Sequence, residues 1–237
     1  MSLVAGLALA ETAVESANIV GYTEMPVEGE GFTSICPDFV KVGSGQSITL
    51  SDLIGPFIEG ESIQITDTDF ATAAEFFYCE KGSMVETDTG WYADDFETLV
   101  GDTEIPAGAS VLYQSMGTEK VTFAGEVSTE DVVVEAESTG FTAVGNPFPI
   151  DTTLSEITFS GITEGDSIQF IDAGAATASE FFYCEKGSMV ETDTGWYADD
   201  FETPVGDTVV AAGAGFLYQN ASEADGVTIK FSAPKLD

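Results

Sequence analysis

The stretch EFFYCEKGSMVETDTGWYADDFET occupies residues 75–98 and returns letter for letter at residues 180–203. Twenty-four identical residues at an offset of 105 mark a chain built from two copies of one unit. The match runs on in both directions with only a skeleton kept. GESIQI (60–65) answers GDSIQF (165–170), and PAGASVLYQ (106–114) answers AAGAGFLYQ (211–219). GFTSICPDF (31–39) answers GFTAVGNPF (140–148), with Gly145 standing where the first copy has Cys36. A chain of 237 residues suits two domains of this size. The expected division is an N-terminal arm or export-signal remnant over 1–16, a β domain over 17–126 and a second over 127–237.

Both copies read as short strands set between turns. Residues 63–65, 75–79, 110–113 and 121–123 are rich in β-branched and aromatic side chains, and glycines fall between them. No sustained run of apolar residues at helical spacing appears. One helical turn fits each copy, at 49–53 and 153–157, where Ser stands directly before an acidic residue as an N-cap signature. The fold class is all-β: two tandem β-sandwich or barrel-like domains related by internal duplication.

Charge narrows the partners. Forty-two acidic residues face six lysines with no Arg and no His, a formal net charge of −36. Such a surface repels phosphate backbones and anionic lipid, so neither nucleic acid nor a membrane surface is expected as a partner. With 43% hydrophobic residues and seventeen Phe, the chain still has the material for folded cores. The acidity reads either as solubility in salty water or as a surface loaded with cations.

Residues 3–10, LVAGLALA, form an apolar run ending in the small-x-small pattern Ala8-Leu9-Ala10 of a signal-peptidase site. Its eight residues are too few to span a bilayer, which takes about 20. An extracellular or cell-surface location follows as an expectation. Cys36, Cys79 and Cys184 make an odd count: one disulfide leaves a thiol over, two copies could pair, or all three are buried free thiols.

The order of motifs resembles a small all-β repeat of exported bacterial surface proteins with a "GWNLISLP … GKGYW" skeleton. Gly140-Phe141 and Asn146-Pro147-Phe148 carry its first part, Gly195-Trp196-Tyr197 the middle, and Gly213-Ala214-Gly215-Phe216 the end. The first copy departs at Cys36-Pro37-Asp38-Phe39 and Gly108-Ala109-Ser110-Val111. The likeness covers about residues 17–237; it implies an extracytoplasmic structural or accessory role and brings no catalytic residues.

Without His or Arg the chain lacks Ser-His-Asp and Cys-His catalysis and arginine clamps on phosphate, and no phosphate-cradling motif is present. Enzyme chemistry would rest on carboxylates, and no pair stands out; an enzyme is not expected. Calcium, a hard cation taking 6–8 oxygen ligands, suits Glu86, Asp88, Asp94 and Asp95, with Glu191, Asp193, Asp199 and Asp200 in the second copy, unless these are plain solvated loops. Trp91-Tyr92 and Trp196-Tyr197 read as core residues, as a glycan platform or as a subunit interface. The resulting expectation is an exported structural protein of the cell surface or of an extracellular filament. It would assemble with copies of itself through duplicated acidic domains with cation help. A glycan-binding module using Trp91 and Trp196, or a non-catalytic scaffold in a larger surface assembly, stand as alternatives.

Overall fold

A computed structural model describes residues 20–27, 31–65, 74–85, 88–171, 179–188 and 193–235. The N-terminal arm, Glu86 and Glu191 lie outside these residues. The first half contributes β1 (Val20–Pro26), β2 (Gly31–Ile35), β3 (Ile48–Thr49), β4 (Ser62–Ile65), β5 (Ala74–Cys79), β6 (Gly90–Tyr92), β7 (Glu104–Ile105), β8 (Val111–Ser115) and β9 (Lys120–Glu126). The second contributes β10 (Val132–Glu135), β11 (Phe141–Gly145), β12 (Thr152–Thr153), β13 (Thr158–Ser160), β14 (Ser167–Phe170), β15 (Ser179–Cys184), β16 (Gly195–Tyr197), β17 (Val209–Val210), β18 (Gly215–Gln219) and β19 (Thr228–Phe231).

Each half is centred on a five-stranded antiparallel sheet of the same order, β2-β8-β4-β5-β6 and β11-β18-β14-β15-β16. A two-stranded ribbon accompanies each, β3-β7 and β12-β17. The third sheet differs: β1-β9 in the first half, β10-β19-β13 in the second. The protein is therefore all-β and internally duplicated, with sandwich-like halves.

Alternation sets which faces are buried. Along β9, Val121, Phe123 and Gly125 point inward and their neighbours outward. Gly125 is required, because a Cβ there would lie 2.3 Å from the Val40 carbonyl oxygen. One core gathers Ile35, Leu50, Ile63, Trp91, Ile105 and Tyr113; the other gathers their counterparts Val144, Leu154, Ile168, Trp196, Val210 and Tyr218.

The expected helical turn is a 3-10 turn, Leu50–Asp52, present in the first half only. Its cap is Thr49 rather than Ser51: Asp52 Oδ2 accepts from the Thr49 N–H at 2.8 Å and from its hydroxyl at 2.6 Å. In the second half Glu156 reaches back to Thr153 in the same way, without helix. The acid, placed three residues after the Thr, supplies the turn's acceptor.

The halves touch by a reciprocal contact. The Cys36 N–H donates to the Gly213 carbonyl at 2.7 Å, and the Gly145 N–H donates to the Gly108 carbonyl at 2.9 Å. Ile35 bridges to Ala214 as Val144 bridges to Ala109. Each pair consists of the same two positions with the halves exchanged, so a pseudo-two-fold axis relates them and the contact is isologous. Across that axis Cys36 faces its own counterpart, since a Cβ on Gly145 would lie 2.2 Å from Cys36 Cβ. Ser110 faces its counterpart likewise, 2.4 Å from a Cβ placed on Gly215. The first half carries the side chains and the second half the hollows.

Candidate functional site

The repeated block folds into β5, β6 and the turn after them, and again into β15, β16 and their turn. Pairing sets Trp91 opposite Tyr78 and Tyr92 opposite Phe77; Trp196 lies opposite Tyr183 and Tyr197 opposite Phe182. The two-residue period sends the neighbours to opposite faces. Trp91 and Trp196 enter the main cores, whereas Tyr92 and Tyr197 join small clusters around Cys79 and Cys184. Both tyrosine hydroxyls donate to a carbonyl four residues back, Tyr92 to Asp88 and Tyr197 to Asp193, at 2.6 Å each.

Each indole is wedged edge-on between two rings. Trp91 meets Phe57 at 5.2 Å and Tyr78 at 5.5 Å; Trp196 meets Phe159 at 5.0 Å and Tyr183 at 5.5 Å. Only 3% of Trp91 and 6% of Trp196 is exposed. Above each trio opens a cleft, about 400 Å3 in the first half and about 390 Å3 in the second. Leu50, Leu53 and Leu99 line the first; Leu154, Ile157 and Pro204 line the second at the same positions. Ser51 and Thr89, with Ser155 and Thr194, supply hydroxyls. The chain thus builds one aromatic-floored cleft twice.

The acidic residues of the block do other things. Asp95 Oδ1 accepts from the Glu97 and Thr98 N–H groups and Oδ2 from the Thr98 hydroxyl; Asp200 repeats this with Glu202 and Thr203. The Thr98 and Thr203 hydroxyls and the backbone donors hold both carboxyls below the usual range. These bonds close a tight turn whose next residue, Phe96 or Phe201, sits in the left-handed region. Asp88 lies 3.8 Å from Lys81 Nζ and Asp193 lies 3.3 Å from Lys186 Nζ. Asp94 and Asp199 are exposed. Among the described residues no group of three or more Cys, Asp or Glu side chains gathers for a metal. The three cysteines are free and buried. Burial pushes every thiol above its ordinary value, helped by Asp38 beside Cys36, Glu59 beside Cys79 and Glu164 beside Cys184. None has the exposed, electropositive setting of a reactive thiolate.

Two buried carboxylates escaped the sequence reading. Glu61 accepts from the Ile58, Met116 and Thr118 N–H groups at 3.0–3.1 Å and from the Tyr113 hydroxyl at 2.6 Å. Asp166 accepts from Thr163 and Ala221 N–H groups and from Tyr218. Each stands just before β4 or β14 and latches the loop after β8 or β18 onto the sheet. Gly60-Glu61 answering Gly165-Asp166 was the available signal. Asp38 is fully buried, and neither of its oxygens has a hydrogen-bond partner among the described residues. Burial pushes its carboxyl up to about 6.

The fold and clefts define a duplicated all-β protein with two equivalent apolar sites. Comparisons with protein-family models, curated proteins and solved structures find no match.

Proposed function

We propose that this chain is a non-catalytic scaffold of an extracellular or cell-surface assembly that holds partners through one cleft presented twice. The equivalence of the clefts carries the reading: Trp91 and Trp196, Tyr78 and Tyr183, Ser51 and Ser155 hold the same places. With no His or Arg, acid–base chemistry would fall to carboxylates, and in the repeated block Asp95 and Asp200 close turns while Asp88 and Asp193 stand near lysines. The export-like run at 3–10 and the likeness to an exported bacterial repeat support the location. Sugar stacking needs an open aromatic face. Both indoles are almost fully covered, which favours insertion of a compact apolar group over a glycan platform.

The test uses Nile red, a neutral apolar dye. Folded chain should take it up at two equivalent sites. Gly206→Leu should leave one, because Gly206 lines the second cleft and a Cβ there makes an ordinary 3.5 Å contact with the cleft-lining Ser155. Uptake unaffected by that substitution overturns the two-cleft reading.

Assembly with copies of the chain, helped by calcium or salt, is the second reading. It is favoured by β1, a strand that among the described residues pairs along one edge only and carries a 72% exposed Tyr22. Sedimentation with calcium, with chelator and across salt should then show size changing with cations. One size throughout removes this reading.

A further inference from the structure

The rims of the two clefts specify the chemistry of what enters. At the first, Ile54 and Leu99 are 54% and 55% exposed beside a buried aromatic floor. Contiguous exposed apolar surface of this kind marks an interaction site. Three cleft-lining residues, Ser51, Thr89 and Gly101, each adjoin an acid in sequence: Asp52, Asp88 and Asp102. The second cleft repeats the arrangement with Glu156, Asp193 and Asp207 beside Ser155, Thr194 and Gly206. Asp52 and Glu156 are turned back onto Thr49 and Thr153, and Asp52 also pairs with Lys41, so the acids left beside each apolar socket are the exposed Asp88 and Asp102 in the first half and Asp193 and Asp207 in the second. Lys81 stands 3.8 Å from Asp88 and Lys186 3.3 Å from Asp193.

The protein's own surface cannot complement those acids. It has no Arg, and five of its six lysines already pair with Asp or Glu. A second copy would bring its own net charge of −36 to the rim. We infer that each cleft takes an apolar side chain of a different protein, one in which lysine or arginine flanks that side chain. Apolar insertion supplies the anchor, and the exposed acids beside each cleft supply selectivity and a fast approach. This inference rests on the two-cleft reading above, and the test separates them.

The probe is the amidated hexapeptide Lys-Lys-Phe-Leu-Lys-Lys, titrated calorimetrically into the full chain. Controls are Glu-Glu-Phe-Leu-Glu-Glu, Lys-Lys-Ser-Gly-Lys-Lys and a neutral hexasaccharide. The basic apolar peptide should bind at two sites and displace Nile red. Its affinity should fall about tenfold between roughly 20 and 200 mM salt, as expected for exposed charges screened over a Debye length of about 10 Å. Both control peptides should bind at least about tenfold more weakly, each lacking one half of the complementarity. Gly206→Leu should leave one peptide site. The paired variant Asp102→Asn, Asp207→Asn should weaken the peptide several-fold while Nile red still takes two sites. Equal binding of the acidic peptide, equal binding of the peptide without Phe-Leu, or tighter binding of the saccharide overturns the partner class. Loss of Nile red stoichiometry instead overturns the underlying two-cleft reading.

Discussion

The two halves share a sheet order and a letter-identical block, yet they solve the same local problems with different residues. Where the chain leaves β2, the first half reads Cys36-Pro37-Asp38-Phe39; leaving β11, the second reads Gly145-Asn146-Pro147-Phe148. Asn146 is satisfied: its amide donates to the Ile150, Val210 and Ala211 carbonyls and its oxygen accepts from the Phe148 N–H. Asp38, buried equally deep, has no hydrogen-bond partner among the described residues. The ring against each Trp arrives differently too, Phe57 from the irregular segment before β4 and Phe159 from β13. Positions that shape the fold are kept by role. The two positions that face their own counterparts across the pseudo-two-fold axis, Cys36/Gly145 and Ser110/Gly215, differ, because two identical side chains cannot both occupy one space.

The largest expected effect breaks that asymmetry. Gly145→Ala puts a Cβ 2.2 Å from Cys36 Cβ and 3.0 Å from the Ala214 carbonyl oxygen. Neither backbone nor a buried Cβ can move aside cheaply, so urea unfolding should show a loss of about 3 kcal/mol. Adding Cys36→Gly moves the side chain to the opposite side of the axis and should restore most of that loss. A double variant no more stable than Gly145→Ala alone would remove Cys36 as the obstacle.

Next come the buried latches. Burial alone would raise the Glu61 carboxyl, but hydrogen bonds from Tyr113, Ile58, Thr118 and Met116 outweigh it and hold it below its ordinary value. A lowered folded pKa contributes stability above the unfolded value near 4.5, and that contribution is lost as pH falls through the folded value. Glu61→Gln should cost about 2–3 kcal/mol at pH 7, since bonds to a charged acceptor are the strong ones. Asp166→Asn, with fewer donors around it, should cost less. Equal losses would mean that the extra donors to Glu61 add nothing.

Asp38 reverses the sign. Its carboxyl is raised from 3.8 to about 6, so the folded state binds the proton more tightly than the unfolded chain. Relative to neutral pH, this residue adds stability as pH falls from 6 toward 3.8, by at most about 3 kcal/mol from linkage. Asp38→Asn should therefore raise stability at pH 7 by about 2 kcal/mol and remove that rise on acidification. The readout is the urea midpoint across pH 4–7. An unchanged profile would show that Asp38 is solvated or partnered in solution.

Much of the frame was readable from the chain itself. The strands expected at 63–65, 75–79, 110–113 and 121–123 lie within or overlap β4, β5, β8 and β9, because β-branched and aromatic runs between glycines are local signals. The opposition of Cys36 and Gly145 was visible only as a substitution; that they face each other depends on the packing of one half against the other. Glu61 and Asp166 hid among 42 acids, since composition does not separate a buried carboxylate from a solvated one. The Trp side chains were legible, but the clefts above them need walls from residues 50–54 and 154–157, distant in sequence from the block.

The smallest effect makes the finest comparison, one substitution in two letter-identical blocks. Gly90 and Gly195 hold the same place before Trp91 and Trp196, but Leu99 stands just past the first block where Pro204 stands past the second. A Cβ on Gly195 meets nothing within 4 Å, and the residue has no left-handed backbone. Gly195→Ala should stabilise by about 0.5 kcal/mol, mainly by restricting the unfolded chain. A Cβ on Gly90 comes within 3.0 Å of Leu99 Cδ1, the tip of an exposed side chain that can swing away at some loss of its own contacts. Gly90→Ala should therefore leave stability unchanged within a few tenths of a kcal/mol. Replacing Leu99 with Pro in that variant should bring its gain up to that of Gly195→Ala. Identical responses without that replacement would mean that Leu99 does not press on the first cleft, and that the identical blocks are energetically as well as literally the same.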